Sequence, residues 1–303
     1  MAQEEAGSPV GDDHGLAVIP LTETRDILGE GPVWCAGTGT LYWVDIRAPA
    51  VHSLRPESGQ RRSWRMPDLV GALALRKGGG LLVALRGSLS LFDPATQALT
   101  EIAAPERDRP GHRFNDGKCD PRGRFWVGTM HDAEPSPIGS LYCLEPDGTC
   151  TARLTGISIP NSLAWSPDGT VMYFADTAAD TIFAFDFDAG TGRLGRRRVF
   201  ATTSGGPGSP DGSTVDCEGF LWNAEYGGSR LVRYAPDGRV DRVVALPVSR
   251  PTCCAFGGAD LRTLFVTTAS EGLDSADLLR EPWAGRLLAL DVGVRGLPAH
   301  EFS

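Results

Sequence analysis

One unit recurs six times along this chain, and a sixfold repeat of this size limits the fold more than any other feature. Each copy starts on a small or polar residue, runs through a short strand, turns at a Gly- or Asp-containing loop and enters a strongly apolar second strand. The copies are EGPVWCAGTGTLYWVDI from Glu30, GALALRKGGGLLVAL from Gly71, DGKCDPRGRFWVGTM from Asp116, NSLAWSPDGTVMYFADT from Asn161, DGSTVDCEGFLWNAEY from Asp211 and PTCCAFGGADLRTLFVTT from Pro251. Aligned on Gly31, Gly71, Gly117, Ser162, Gly212 and Thr252, they lie 40, 46, 45, 50 and 40 residues apart. Several continue into a third strand that ends in an acidic turn, as in SLSLFDPATQ and TIFAFDFDAG. Such a period marks propeller blades, each a four-stranded antiparallel sheet that buries its faces only by packing on its neighbours. The expected fold is therefore all-β, a six-bladed β-propeller. An α/β alternative needs amphipathic windows of 10–15 residues between strands, and only SADLLREPW offers a helical turn or two. The early segment LAVIPLTETRDIL and the late GRLLALDV read as strands that close the ring.

Residues 16–303 thus form one domain, and the acidic stretch 1–15 is expected to be a disordered leader, without the basic and apolar regions of a signal peptide. The formal net charge of -9 argues against nucleic acid and against an anionic membrane surface as partners. No apolar run approaches the ~20 residues that cross a bilayer. Seven cysteines, an odd count with no C-x-x-C, suit reduced thiols and a cytoplasmic protein. A monomer or weak homo-oligomer is expected.

No H-E-x-x-H, no Cys/His cluster with zinc spacing and no G-x-S-x-G elbow is present. The repeat itself points to the chemistry. In a propeller the innermost strand of each blade lines the tunnel, so residues at the start of that strand gather at one mouth. Those residues are Glu30, Val70, Asn115 with Asp116, Asn161, Asp211 and Pro251. A single D-G or N-D-G is most simply a turn, and SPDG at 166–169 and PDG at 236–238 are read so. The ring is different: Glu30 is a poor turn former, and carboxylates aimed at one axis repel without a cation. Oxygen donors from Glu, Asp and Asn suit a hard divalent ion.

Five segments carry a family resemblance: LGEGPVW (28–34), RFNDGKCDPRGRFWVGTM (113–130), IPNSLAWSPDG (159–169), YFADT (173–177) and SPDGSTVDCEGFLWNAEYGG (209–228). Together they resemble the senescence-marker-protein/gluconolactonase family, which includes regucalcin, luciferin-regenerating enzyme and bacterial sugar lactonases. The resemblance implies a six-bladed propeller with one divalent metal ion (Ca²⁺, Mn²⁺, Mg²⁺ or Zn²⁺) held by Glu30, Asn161 and Asp211. It implies that Asp211 is also the catalytic acid/base, and that Arg113 and Asn115 contact substrate hydroxyls. A further acidic contact after G-T-M falls on Glu134 or on Asp132. The implied activity is hydrolysis of a sugar acid lactone, such as a glucono-, xylono- or arabinonolactone, to the free acid. The alternatives are a metal-dependent esterase or phosphotriesterase, and a non-catalytic calcium-binding propeller.

Overall fold

In the computed structural model, which describes residues 11–12 and 16–303, six sheets form a ring of blades. The innermost strands of the blades, taken around the ring, are Gly29–Cys35, Val70–Leu75, His112–Cys119, Pro160–Trp165, Ser209–Val215 and Pro251–Gly257. Each begins within four residues of its expected repeat start. Blades one to five each add three consecutive antiparallel strands outward; blade one, for example, continues through Thr40–Asp45, Ala50–Arg55 and Gln60–Arg65. Blade six is built from both ends of the chain. Its inner three strands are Pro251–Gly257, Thr263–Thr268 and Leu288–Asp291, and its outer strand is Ile19–Pro20. The two segments expected to close the ring do pair with each other.

Burial grades outward along every blade. The inner strand Val70–Leu75 is buried throughout, whereas Gln60–Arg65 at an outer edge hides only Trp64. Charged outer strands of this kind discourage edge-to-edge association. The glycines of the repeat have a steric cause. A Cβ on Gly71 would fall 2.3 Å from the Phe114 carbonyl oxygen of the next blade, and one on Gly212 would fall 2.2 Å from Cys253 Sγ of the next. Only glycine lets inner strands approach so closely at the axis.

The D-x-x-G-R turn of blade three is a structural hub. Asp120 is fully buried; one carboxylate oxygen accepts from the Arg122 and Arg124 amides, the other from Arg124 Nε at 2.6 Å and Trp126 Nε1 at 3.0 Å. Asp216 repeats this in blade five with Trp222 and Arg233. The only α-helix among the described residues, Ser275–Arg280, coincides with the SADLLREPW window and is closed by a capping box of Asp274 and Asp277. The tail bridges at Gly296 to Asp216 and at Phe302 to Arg76, so it crosses the end of the tunnel remote from Glu30. No described helix is long and apolar enough to cross a membrane. The expected leader falls mostly outside the described residues; Gly11–Asp12 pair in parallel with Arg242 and Val243 on the outer strand of blade five.

Candidate metal and catalytic site

All six inner strands share one irregularity. Pairing with the second strand slips just after the first residues, between Glu30 and Val33, Val70 and Ala72, Phe114 and Gly117, Asn161 and Ala164, Pro210 and Ser213, and Pro251 and Cys253. A bulge leaves residues out of the ladder and re-aims their side chains. Glu30, Asn115, Asp116, Asn161 and Asp211 all sit at these slips and all are buried. Ser162 takes a left-handed φ of 61° to make the blade-four bulge. Its Oγ is tied to the Asp211 carbonyl oxygen at 2.6 Å, and Asn223 Nδ2 donates to that same carbonyl at 2.9 Å. The three asparagines of the chain thus all serve this end of the tunnel.

A hydrogen-bonded relay orients the donors. Arg113 Nε donates to Asp132 Oδ1 at 2.6 Å and Nη1 to Asn115 Oδ1 at 2.6 Å. Asn115 Nδ2 donates to Asn161 Oδ1 at 3.0 Å and to the Pro160 carbonyl at 2.9 Å. Asn161 Nδ2 donates to Thr177 Oγ1 at 2.8 Å, whose hydroxyl donates to the Pro210 carbonyl at 2.7 Å. The Asn161 amide is therefore locked in one orientation, its nitrogen spent on Thr177 and its oxygen held by Asn115. One lone pair of that oxygen remains for a cation.

Electrostatics press in the same direction. Burial, then the Asp116 carboxylate, push Glu30 up to about 8. Burial, then Glu30 and Asp116, push Asp211 well above the carboxylate range, and burial raises Asp116. Lys118, whose Nζ donates to the Ser213 carbonyl at 2.5 Å, is the one ammonium that eases Asp116. Asp211 Oδ1 is buried with no hydrogen-bond partner. An orphaned carboxylate oxygen among three mutually repelling acids is what a divalent ion would satisfy. No group of three or more His, Cys, Asp or Glu poised for a metal occurs among the described residues; the donor set is two carboxylates and a carboxamide, which fits a hard ion that completes its shell with water.

The expected substrate residues divide. Arg113 is buried at the mouth and makes no hydrogen bond from Nη2 to any described residue. Asn115 spends both amide hydrogens inside the protein, one of them on the Asn161 oxygen. Glu134 is exposed, its backbone amide donating to His131 Nδ1. It is Asp132 that joins Arg113, and Arg47 Nη1 grips the same carboxylate at 2.8 and 2.9 Å. Against the cost of burial, these two arginines hold Asp132 below its ordinary value. Arg47 also binds Glu271 at 2.7 Å, and Arg86 lies 3.6 Å from Asp132. Repeat spacing could not place Arg47 and Glu271, which come from loops 224 residues apart. Tyr226 and Arg250 complete the rim; the Tyr226 phenol is raised by burial and feels Arg250, Glu271, Asp211 and Glu30. Beneath this layer a cavity of about 90 Å³ follows the axis, lined by Asp116, Lys118, Cys253 and His300 and floored by residues 297–300.

Comparison with known proteins supplies close relatives. The family model "SMP-30/Gluconolactonase/LRE-like region" matches residues 28–270. Regucalcin of Xenopus laevis is 36% identical over 290 residues, covering 93% of this chain and 97% of its own. The 6-deoxy-6-sulfogluconolactonase of Pseudomonas putida is 37% identical over 273 residues, covering 89% and 93%. Among solved structures, a calcium-binding regucalcin from Agrobacterium tumefaciens superposes with a TM-score of 0.91 at 38% identity, covering 95% and 98%.

Proposed function

Because the chain belongs to the SMP-30/gluconolactonase/LRE-like family, we propose that it is a metal-dependent lactonase that opens a sugar acid lactone to the free acid. The observation that carries this reading is the orphaned Asp211 Oδ1, buried among Glu30, Asp116 and the oriented Asn161 oxygen. Lactonase names among the relatives support it. A divalent ion held by Glu30, Asn161 and Asp211 would supply Lewis-acid polarisation of the ring carbonyl.

The residues of the chain supply the rest. Asp211 takes a proton from the attacking water as that water's oxygen bonds to the carbonyl carbon. The carbon–oxygen bond of the ring then breaks, and Asp211 returns the proton to the departing ring oxygen, leaving a hydroxy acid. Arg113 presents Nη2 to the sugar hydroxyls, its plane fixed by Asp132 and Asn115. Asp132, not Glu134, is the acidic member of this contact set. Lys118 moderates the charge on Asp116 beneath. All seven cysteines are free, which suits a reducing compartment.

The test is a panel of glucono-, xylono- and arabinonolactone on chelator-stripped protein, with Ca²⁺, Mg²⁺, Mn²⁺ and Zn²⁺ added back singly. Turnover restored by an added ion is expected. Undiminished turnover in chelator refutes the metal-dependent reading. Ion binding without turnover of any lactone leaves the calcium-binding reading, which the name of the Agrobacterium structure favours.

A further inference from the structure

Four arginines stand around the mouth, and three have carboxylate partners. Arg47 is held by Asp132 and Glu271, Arg86 lies near Asp68 and Asp132, and Arg113 is held by Asp132. Arg250 has none among the described residues. It directly precedes Pro251, the first residue of the inner strand of blade six and the repeat equivalent of Glu30 and Asp211, and so lies one residue outside that ring at the same end of the tunnel. Its backbone is fixed, the carbonyl accepting from the Ala269 amide at 2.9 Å. The residue is half-buried, and its guanidinium lies 5.8 Å from the centre of the Tyr226 ring. A side chain at position 272 would fill the same space, because a Cβ on Gly272 would fall 2.9 Å from Arg250 Nη1. Blade six lies opposite blade three in a ring of six. Arg250 and Arg113 therefore come from opposite sides of the ring, and the Tyr226 phenol beside Arg250 also feels Asp211 and Glu30.

A guanidinium that is partly desolvated, held by an aromatic face and lacking a counterion is a prepared anion site. Its planar fork matches the oxygens of a carboxylate, sulfonate or phosphate. We infer that Arg250, backed by Tyr226, is an anion subsite, and that the ligand it recognises carries an acid group at the end remote from the reacting carbonyl. Resting on the lactonase reading, this makes the substrate class an anionic sugar lactone, one whose product is a diacid or a phosphorylated or sulfonated sugar acid. A neutral lactone leaves Arg250 without a partner.

Binding separates this inference from the lactonase reading, since it needs no turnover. Calorimetric titration of metal-saturated protein with glucarate, a dianion, and gluconate, a monoanion, is expected to give tighter glucarate binding by roughly 10–100-fold, the worth of one hydrogen-bonded charge pair. Arg250→Gln should abolish that preference, and Arg250→Lys, which keeps the charge but not the fork, should retain part of it. In parallel, the ratio of kcat/KM for glucarolactone, 6-phosphogluconolactone and a 6-sulfonated gluconolactone to that for gluconolactone should fall by a similar factor in Arg250→Gln; the three arms tell which acid group fits. Equal affinity of the native protein for glucarate and gluconate overturns the subsite. So does an Arg250→Gln variant that weakens both ligands equally. If no lactone is opened but the glucarate preference exists and is lost in Arg250→Gln, the subsite stands and the lactonase reading falls.

Discussion

Removing the metal should make the protein less stable as pH rises, and Glu30 sets the scale. Its carboxyl is lifted from an ordinary 4.5 to about 8 by burial and by Asp116. Between those values the folded chain holds a proton that the unfolded chain has released. Stability is therefore fully present below about pH 4.5 and is lost as pH rises toward 8. Holding one proton through one pH unit corresponds to about 1.4 kcal/mol, so the loss is on the order of 5 kcal/mol at pH 8. For a protein of this size that lowers Tm by about 10 °C. Asp211 and Asp116 are raised in the same direction and add to the loss. The assay is thermal melting in chelator across pH 5–8, each point compared with Glu30→Gln so that groups remote from Glu30 cancel and the difference reads Glu30 together with its effect on Asp211. Wild type should fall increasingly below the variant as pH rises. A divalent ion at pH 8 should restore the wild type far more than the variant, since ligand binding stabilises only the state that binds. Glu30→Gln melting below wild type at pH 8 in chelator would refute the reasoning, because the buried carboxylate would then be stabilising without its cation.

Three further outcomes follow from the site. At saturating metal Glu30→Gln should recover much of its lactone turnover, whereas Asp211→Asn should stay ~10²–10⁴-fold low, the usual worth of a proton-transfer group; full recovery of Asp211→Asn would leave Asp211 a ligand only. Arg113→Ala should raise KM for polyhydroxylated lactones more than for an unsubstituted lactone, seen in steady-state kinetics. Thiol titration should find all seven cysteines after denaturation but Cys217 reacting first in the native protein, since it alone is exposed; rapid native reaction of Cys253 or Cys254, whose thiols burial pushes up, would contradict the packing.

The parts of this molecule that repeat were readable in one dimension. Six copies at near-constant spacing lead to six blades, and the equivalence of Glu30, Asn161 and Asp211 within the copies leads to one mouth. The bulge that aims those side chains was hidden, because it is a property of pairing with the second strand and no residue type specifies it. The relay from Asp132 through Arg113, Asn115 and Asn161 to Thr177 was hidden for another reason. It spans two blades, and local sequence says nothing about which rotamer reaches a neighbour. That Asp132 and not Glu134 bonds Arg113 was hidden as well, because the same carboxylate is braced by Arg47, supplied by blade one. Arg250 escaped because it stands one residue before a ring position filled by an uninformative proline.

The pairing of Ile19–Pro20 with Leu288–Asp291 has a consequence for synthesis on the ribosome. Blades one to five can assemble in order as the chain emerges, but the sheet that joins the last blade to the first needs residues from both ends. Thr252 Oγ1 donates to the Gly29 carbonyl, so the backbone beside Glu30 gains its final neighbour only when blade six docks. A nascent chain therefore carries its opening strand unpaired, with one face of blade one open, through nearly all of translation. Such an edge is exposed to wrong partners for the whole interval. The mouth that gathers Glu30, Asn161 and Asp211 is thus among the last features to form, complete only once blade six has docked on blade one.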